Sequence, residues 1–208
     1  MTRNLLILFI KNAIRGTVKT RIAAELGEEV ALIIHQRLVN ILRENMQGFR
    51  WDIQLCFSDF IPNDIGEWGA CLTEIQQGKD LGEKMYNALS VGFELGYHKV
   101  CLAGSDIPDL NKEIIYAAFE ALENNDVVLG PATDGGYYLI GCNEGFLHLK
   151  EITENMNWGT EEVLLETTNR IKKRNIKYHL LKELSDIDYI SDFPDTWKTE
   201  FRKTSQSA

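Results

Sequence analysis

Lys99-Val100-Cys101-Leu102-Ala103-Gly104-Ser105-Asp106-Ile107-Pro108 is the stretch whose reading decides the fold. A run of small and apolar residues without alternation marks a strand buried on both faces, the pattern of a parallel sheet. The run stops abruptly in glycine, serine, aspartate and then proline. Ligands of open α/β sheets gather outside the carboxyl ends of the strands, so Asp106 stands where a metal-bound phosphate would sit. Its carboxylate oxygens are hard ligands that suit magnesium or manganese. An aspartate that only opens a turn, or caps the next helix, accounts for this segment equally well.

The flanking sequence supplies more strands. Leu5 to Ile10 is a continuous apolar run, as expected of a central parallel strand. Trp51, Ile53, Leu55 and Phe57 alternate with Asp52, Gln54 and Cys56, which predicts a second strand with one more polar face. Short strands follow at 126–130, 137–141 and 176–181. Between them, Val30, Ile33, Ile34, Leu38, Ile41 and Leu42 recur at helical spacing, and Asp80 opens a helix carrying Leu81, Met85, Leu89 and Phe93 along one side. Further helices are expected over 112–123 and 160–173, the latter with Thr160 as N-cap, and residues 61–70 read as a loop. Strands alternating with helices predict an α/β protein whose mainly parallel sheet is covered on both faces. The closely spaced strands around Asp134 break the alternation, which implies a mixed sheet or a small acceptor-binding lobe. Residues 1–200 read as one domain and 201–208 as a polar, frayed tail.

The 208 residues carry 31 acidic and 22 basic side chains, a formal net charge of -9. That field opposes nucleic-acid binding, which depends on lysine and arginine neutralising phosphates. Cys56, Cys71, Cys101 and Cys142 lie far apart without a CxxC pattern, so reduced thiols in a cytoplasmic protein are expected. The N-terminal apolar run is too short for a signal-peptide core, and no stretch approaches the ~20 apolar residues of a membrane helix. His35, His98, His148 and His179 are scattered, and no Ser/His/Asp or Cys/His context favours nucleophilic hydrolysis.

Lys11, Arg15, Lys19 and Arg21 crowd the loop after the first strand, with Gly16 among them. Cations and helix N-terminal N–H groups at that place favour an anion such as phosphate. The loop has neither the P-loop nor the dinucleotide fingerprint. A solvated basic loop balancing nearby acids is the plainer reading. In Asp134-Gly135-Gly136-Tyr137 the paired glycines permit a hairpin turn or the close approach of a ligand. Asp134 can then bind an acceptor hydroxyl or act as its general base. Tyr137 and Tyr138 should point to opposite faces of a regular strand.

Six segments occur together in order: 19–21 (Lys-Thr-Arg), 76–85 (Gln-Gln-Gly-Lys-Asp-Leu-Gly-Glu-Lys-Met), 104–108, 130–141 (Gly-Pro-Ala-Thr-Asp-Gly-Gly-Tyr-Tyr-Leu-Ile-Gly), 158–160 (Trp-Gly-Thr) and 186–188 (Asp-Ile-Asp). From about Leu5 to Phe193 the chain resembles the bacterial glycosyltransferase-like family grouped with the nucleotide-diphospho-sugar transferases. That family is related to the molybdenum-cofactor and phospholactate guanylyltransferases. The resemblance implies a Rossmann-like three-layer α/β/α sandwich with a mixed, mainly parallel sheet. It implies Asp106 and Asp188 as ligands of Mg2+ or Mn2+, with Asp186 as a ligand or a group orienting them. Asp106, Asp134 and Lys19 become the catalytic candidates. Lys11, Gly16, Lys19, Arg21, Gln77, Gly82 and Ser105 become candidates for the nucleotide and its phosphates. Asp134, Gly135, Gly136, Tyr137, Trp158 and Thr160 fall on the acceptor side. The expected activity is metal-dependent transfer from a nucleotide-sugar donor to a small-molecule acceptor. Nucleotidyl transfer from a triphosphate, with release of pyrophosphate, is the alternative, and non-catalytic nucleotide binding a third. The family's first loop usually carries prolines before its glycine; Lys11-Asn12-Ala13-Ile14-Arg15-Gly16 has none.

Overall fold

Strand β1 (Asn4–Ile10) has parallel partners on both sides, β2 (Asp52–Phe57) and β4 (Lys99–Gly104), which is why Leu5, Leu6, Ile7 and Leu8 are fully buried. The computed structural model describes residues 3–146 and 148–204. Its sheet has seven strands in the order β3-β2-β1-β4-β6-β5-β7, where β3 is Leu72–Ile75, β5 Val127–Pro131, β6 Tyr137–Asn143 and β7 Tyr178–Leu180. Every pairing is parallel except those of β6, which runs antiparallel to both β4 and β5. The expected mixed sheet is therefore present, and the break in alternation around Asp134 is its cause.

Helices cover both faces. Leu6, Leu8, Cys101 and Ala103 pack with Leu42 of α2 (Glu28–Asn45) and with Ile115 and Phe119 of α4 (Lys112–Ala121). On the other face Leu5, Ile7, Val100 and Leu102 meet α3 (Leu81–Glu94) through Met85 and Leu89, α5 (Leu149–Thr153) through Ile152, and α6 (Val163–Lys173) through Ile171. A third cluster joins Ile22 of α1 (Thr20–Leu26), Ile34 and Leu38 of α2 and Phe201 of α7 (Asp195–Thr204). This is a three-layer α/β/α sandwich.

Several local expectations change. Gln54 and Cys56 are buried rather than on a polar face, because α3 covers that side of β2, with Cys56 in the cluster of Met85 and Leu89. β3 itself has only four residues of alternating exposure and no apolar run to announce it. The first helical region is broken at Gly27, whose φ of 87° ends α1 and lets α2 start on a new axis. Asp80 caps α3 as expected, its Oδ1 accepting from the Glu83 N–H at 2.9 Å. Asp106 does not cap α4; Asn111 does, accepting from the Ile114 N–H at 3.1 Å. Thr160 does not cap α6, which starts three residues later; its hydroxyl donates to the Asn157 carbonyl in a preceding turn. Residues 201–204 complete α7, and 205–208 of the expected tail lie outside the described residues. Among the described residues no helix is long and apolar enough to cross a membrane.

Candidate active site

The loop after β1, the turn after β4 and the chain between β7 and α7 meet at the carboxyl ends of β1 and β4. The sheet order reverses there: the chain runs outward from β1 through β2 and β3, then crosses back to β4 on the other side of β1. Backbone hydrogen bonds bring the late segment in: Thr133 N–H donates to the Leu184 carbonyl at 3.0 Å, and Ile187 N–H to the Asp106 carbonyl at 3.1 Å. Asp186 and Asp188 are thereby held beside Asp106. Lys19 lies between two of these acids, its Nζ 3.1 Å from Asp106 Oδ2 and 3.0 Å from Asp188 Oδ1. Arg21 holds the other oxygen of Asp188 at 3.0 Å and lies over the Tyr189 ring at 4.9 Å. The Lys19 side chain is only 3% exposed. Its backbone is left-handed, with φ 46° and ψ 49°, a conformation that costs a non-glycine residue about 1–3 kcal/mol. The two ion pairs hold it there, and its carbonyl accepts the first hydrogen bond of α1, from Ala23 N–H at 2.8 Å.

The proline-free first loop is fastened by other means. Asn12, 2% exposed, donates to the Phe60 carbonyl at 2.9 Å and accepts from the Asp59 N–H at 2.8 Å. Its own N–H donates to Ser58 Oγ at 2.9 Å. Lys11 Nζ donates to the Thr17 carbonyl at 2.7 Å, closing the loop on itself. His35 Nε2 lies 2.8 Å from the Lys11 carbonyl and must donate to it, so the ring is held as the Nε2–H tautomer. Burial is the largest influence on His35 and lowers its pKa. Arg15 turns outward to Glu28 at 3.1 Å.

Two adjoining cavities run from this point. The first, about 360 Å³, is lined by Lys11, Ser58, Gln76, Lys84, Ser105 and Asp106 over an apolar floor that includes Phe9 and Met85. The second, about 310 Å³, shares Asp106 and the Tyr137–Tyr138 pair with it and adds Asp134, Gly136, Trp158, Thr160 and Asp186. Beyond lies an acidic recess of about 330 Å³ that contains Arg21, Asp134, Glu161, Asp186, Asp188 and Asp192. Asp134 Oδ1 accepts from the Gly136 N–H at 2.9 Å, which fixes the carboxylate at the cleft edge. Gly135 is required: its φ is 86°, and a Cβ would fall 2.2 Å from the Glu161 carbonyl oxygen.

Tyr137 and Tyr138 do point to opposite faces, into separate core clusters, although both border the cleft. Tyr138 donates to the Lys182 carbonyl at 3.0 Å. The Tyr137 hydroxyl and the Trp158 indole N–H are buried without a hydrogen-bond partner among the described residues, and the two rings meet edge to face at 6.1 Å. Burial, then the charges of Asp134 and Asp188, push the Asp186 carboxyl up to about 6.

The expected residues Lys11, Ser105, Asp106, Asp134, Gly136, Tyr137, Trp158, Thr160 and Asp186 line the first two cavities, Arg21 and Asp188 the recess, and Lys19 lies between Asp106 and Asp188. Four sit elsewhere, among them Gly135, the turn position packed against Glu161. Gly16 forms the outer bend of the loop against Glu28. Gln77 faces a separate small cavity, and its carbonyl accepts from Asn87 Nδ2 at 2.9 Å. Gly82 is a packing position, where a Cβ would fall 2.3 Å from the Thr153 carbonyl oxygen. The cleft also includes Ser58, Gln76 and Lys84, which sequence reasoning passed over. Lys84 stands three residues after Leu81, so helical spacing places it on the same side.

Among the described residues no three His, Cys, Asp or Glu are grouped to hold a metal by themselves. Asp106 and Asp188 supply two converging carboxylates. A Mg2+-like ion usually takes one or two carboxylates and completes its shell with water and substrate phosphate. On donor chemistry the pair fits such a cation.

A protein from Desulfovibrio desulfuricans G20, provisionally described as a nucleotide-diphospho-sugar transferase, matches with a TM-score of 0.82 and 30% identity over 92% of this chain and 85% of its own. CMP:2-keto-3-deoxy-manno-octonic acid synthetase complexed with CTP matches over 100% of both chains with a TM-score of 0.55 and 8% identity. The 4-diphosphocytidyl-2C-methyl-D-erythritol synthase of Anaerococcus prevotii DSM 20548 matches over 87% of each chain with a TM-score of 0.57 and 12% identity. At such identities the last two share the fold and nothing finer. No curated protein matches the chain. A family model described as "Uncharacterized protein conserved in bacteria (DUF2064)" matches residues 41–160, more than half of the 208. With that match, and the 30%-identical relative beside it, the chain belongs to this bacterial family.

Proposed function

We propose that this protein is a metal-dependent transferase that takes a nucleotide-sugar donor and passes the sugar to a small hydroxyl-bearing acceptor. The observation that carries the reading is the two-part cleft, in which a half lined by Lys11 and Lys84 meets a half lined by Asp134 and Asp186 across Asp106. The description of the 30%-identical relative supports the donor class. Transfer from such a donor is mostly a matter of neutralising the leaving diphosphate and aligning the acceptor. Lys11 and Lys84 stand where they can pair with phosphate oxygens. A divalent cation held by Asp106 and Asp188 would add Lewis-acid neutralisation of the diphosphate. Asp134, fixed by its bond to Gly136, binds the acceptor hydroxyl. Asp186, with a carboxyl near 6, is suited to accept its proton close to neutral pH. Trp158 and Tyr137 wall the second half and keep water from the donor.

Nucleotidyl transfer to a phosphorylated acceptor uses the same cations, and Arg21 in the acidic recess favours it. That acceptor would bring a phosphate into the second cavity, where no lysine or arginine lines the wall among the described residues. The uncharged acceptor is therefore preferred. The experiment is a panel of nucleotides and nucleotide sugars with and without Mg2+ or Mn2+, read by melting temperature, which rises when a ligand binds the native state. Product analysis follows for any ligand that binds. Release of a nucleoside phosphate or diphosphate supports glycosyl transfer; release of pyrophosphate supports the nucleotidyl reading. Absence of any shift under every metal condition overturns both. If Asp106→Asn changes affinity and no turnover exists to lose, the protein binds nucleotides without catalysis.

A further inference from the structure

The two carboxylates best placed to hold a divalent cation already share a cation of the chain's own. Lys19 Nζ is 3.1 Å from Asp106 Oδ2 and 3.0 Å from Asp188 Oδ1. Its side chain is 3% exposed, whereas those of Asp106 and Asp188 are 46% and 35% exposed. Asp106 faces the cleft and Asp188 the acidic recess, and the ammonium lies beneath both. Both oxygens of Asp188 already face cations, since Arg21 pairs with the second one at 3.0 Å. A Mg2+-like ion sits about 2.0–2.1 Å from its oxygens, so an ion bound by this pair would lie no more than about 5 Å from the ammonium, where like charges repel strongly.

We propose that Lys19 is a displaceable occupant of this carboxylate pair, so that metal binding is conditional on a diphosphate. A cation arriving alone must leave a buried ammonium without its counter-charges, which is strongly unfavourable. A cation arriving with a diphosphate brings the lysine a replacement anion. The left-handed backbone of Lys19 fits a residue held by its ion pairs rather than by its local preference. The protein would then resist loading with metal until the donor is present. This inference rests on the metal-dependent reading of the cleft and deepens it.

The test is direct Mn2+ binding, measured by electron paramagnetic resonance, to the wild-type protein, Lys19→Met and Lys19→Arg, with and without inorganic pyrophosphate. Methionine keeps the apolar stem and removes the competitor, so Lys19→Met should bind Mn2+ about tenfold more tightly than wild type when no anion is added. Lys19→Arg, whose guanidinium cannot be neutralised and can grip both acids, should bind no better than wild type. Pyrophosphate should tighten Mn2+ binding to wild type and change Lys19→Met little. Equal or weaker Mn2+ binding by Lys19→Met overturns the proposal. Circular dichroism follows folding: a Lys19→Met chain that folds only when Mn2+ is added supports displacement, and one that folds under neither condition shows a fixed structural lysine and overturns it. Nucleotides that bind while Lys19→Met leaves Mn2+ affinity unchanged would sink this exchange and spare the transferase reading. Competition between Lys19 and Mn2+ without any nucleotide binding would do the reverse.

Discussion

Asn12→Ala tests whether side-chain hydrogen bonds replace the absent prolines of the first loop. Asn12 is 2% exposed, donates to the Phe60 carbonyl at 2.9 Å and accepts from the Asp59 N–H at 2.8 Å. Its third bond, from the Phe60 N–H at 3.3 Å, is long and adds little. A hydrogen bond contributes a net ~0.5–1.5 kcal/mol, and a buried group left without its partner costs ~1–3 kcal/mol. Two main bonds therefore set the expected loss at about 2–4 kcal/mol. A domain of this size loses roughly 2–4 °C per kcal/mol, so the melting temperature should fall by about 4–16 °C, as read by calorimetry. Lys11 precedes Asn12 and lines the first cavity, so affinity for the anionic ligand proposed there should fall as well. Ser58 Oγ accepts from the Asn12 N–H, and its one proton is shared between the Asp59 carboxylate and Asn12 Oδ1, 3.2 Å away. A double-mutant cycle with Ser58→Ala should therefore give a coupling of about 1 kcal/mol. A fall of under about 2 °C with strictly additive effects would refute the idea that Asn12 organises the loop.

Gly82→Ala places a Cβ 2.3 Å from the Thr153 carbonyl oxygen and 3.0 Å from the Trp158 ring. Overpacking should outweigh the ~1 kcal/mol that alanine gives a helix, so the melting temperature should drop and the tryptophan emission shift; an unchanged melting temperature would show that α3 slides freely. His35 has a folded pKa below its ordinary 6.5 because it is buried. The unfolded chain then takes up the proton first, so the stability that this residue provides is intact above pH 6.5 and declines as pH falls below it. Urea unfolding at several pH values should show wild type losing stability relative to His35→Gln over that window, and parallel profiles would contradict it. Asp186 has the opposite sign: its pKa rises from 3.8 to about 6, so the folded state takes up the proton first and is favoured as pH falls from above 6 towards 4. Two units correspond to at most about 3 kcal/mol, and partial exposure screens this to the order of 1 kcal/mol. Asp186→Asn should therefore be the more stable protein at pH 8 and lose that advantage by pH 4; an advantage that does not vary with pH would rule out the electrostatic cause.

The central strands were legible because burial on both faces leaves a continuous apolar run, as at Leu5–Ile10 and Lys99–Gly104. β3 was not, because a four-residue edge strand with Thr73 and Glu74 has no such run. Gln54 looked like one element of a polar face and is buried, since alternation reports side-chain direction and not what covers it. Asp80 and Thr160 looked equally good as caps; only Asp80 meets a free N–H, since α6 begins beyond the reach of Thr160. Gly82 stands in a motif that points to a ligand contact, but its lack of a side chain serves the approach of α3 to Thr153 and Trp158. Motif order identified the family and the acids. It could not say that Lys19 pairs with Asp188, 169 residues away.

The reversed strand explains why the cleft has two halves. In a wholly parallel sheet every strand enters from the same edge, so the chain leading into a strand lies opposite the ligand-binding end. β6 is antiparallel to β4 and β5, so it starts where they finish. The turn 132–136 therefore opens at the same end as Asp106, and Gly135 lets it pass against the chain at Glu161. The same reversal leaves the β5 end free to pair with the returning segment, through Leu184 N–H to the Pro131 carbonyl at 3.1 Å. That pairing delivers Asp186 and Asp188. One antiparallel strand thus sets Asp134 and Asp186 beside Asp106 and Asp188. Local breaks in the strand–helix alternation of such a sheet are accordingly where a second substrate should be sought.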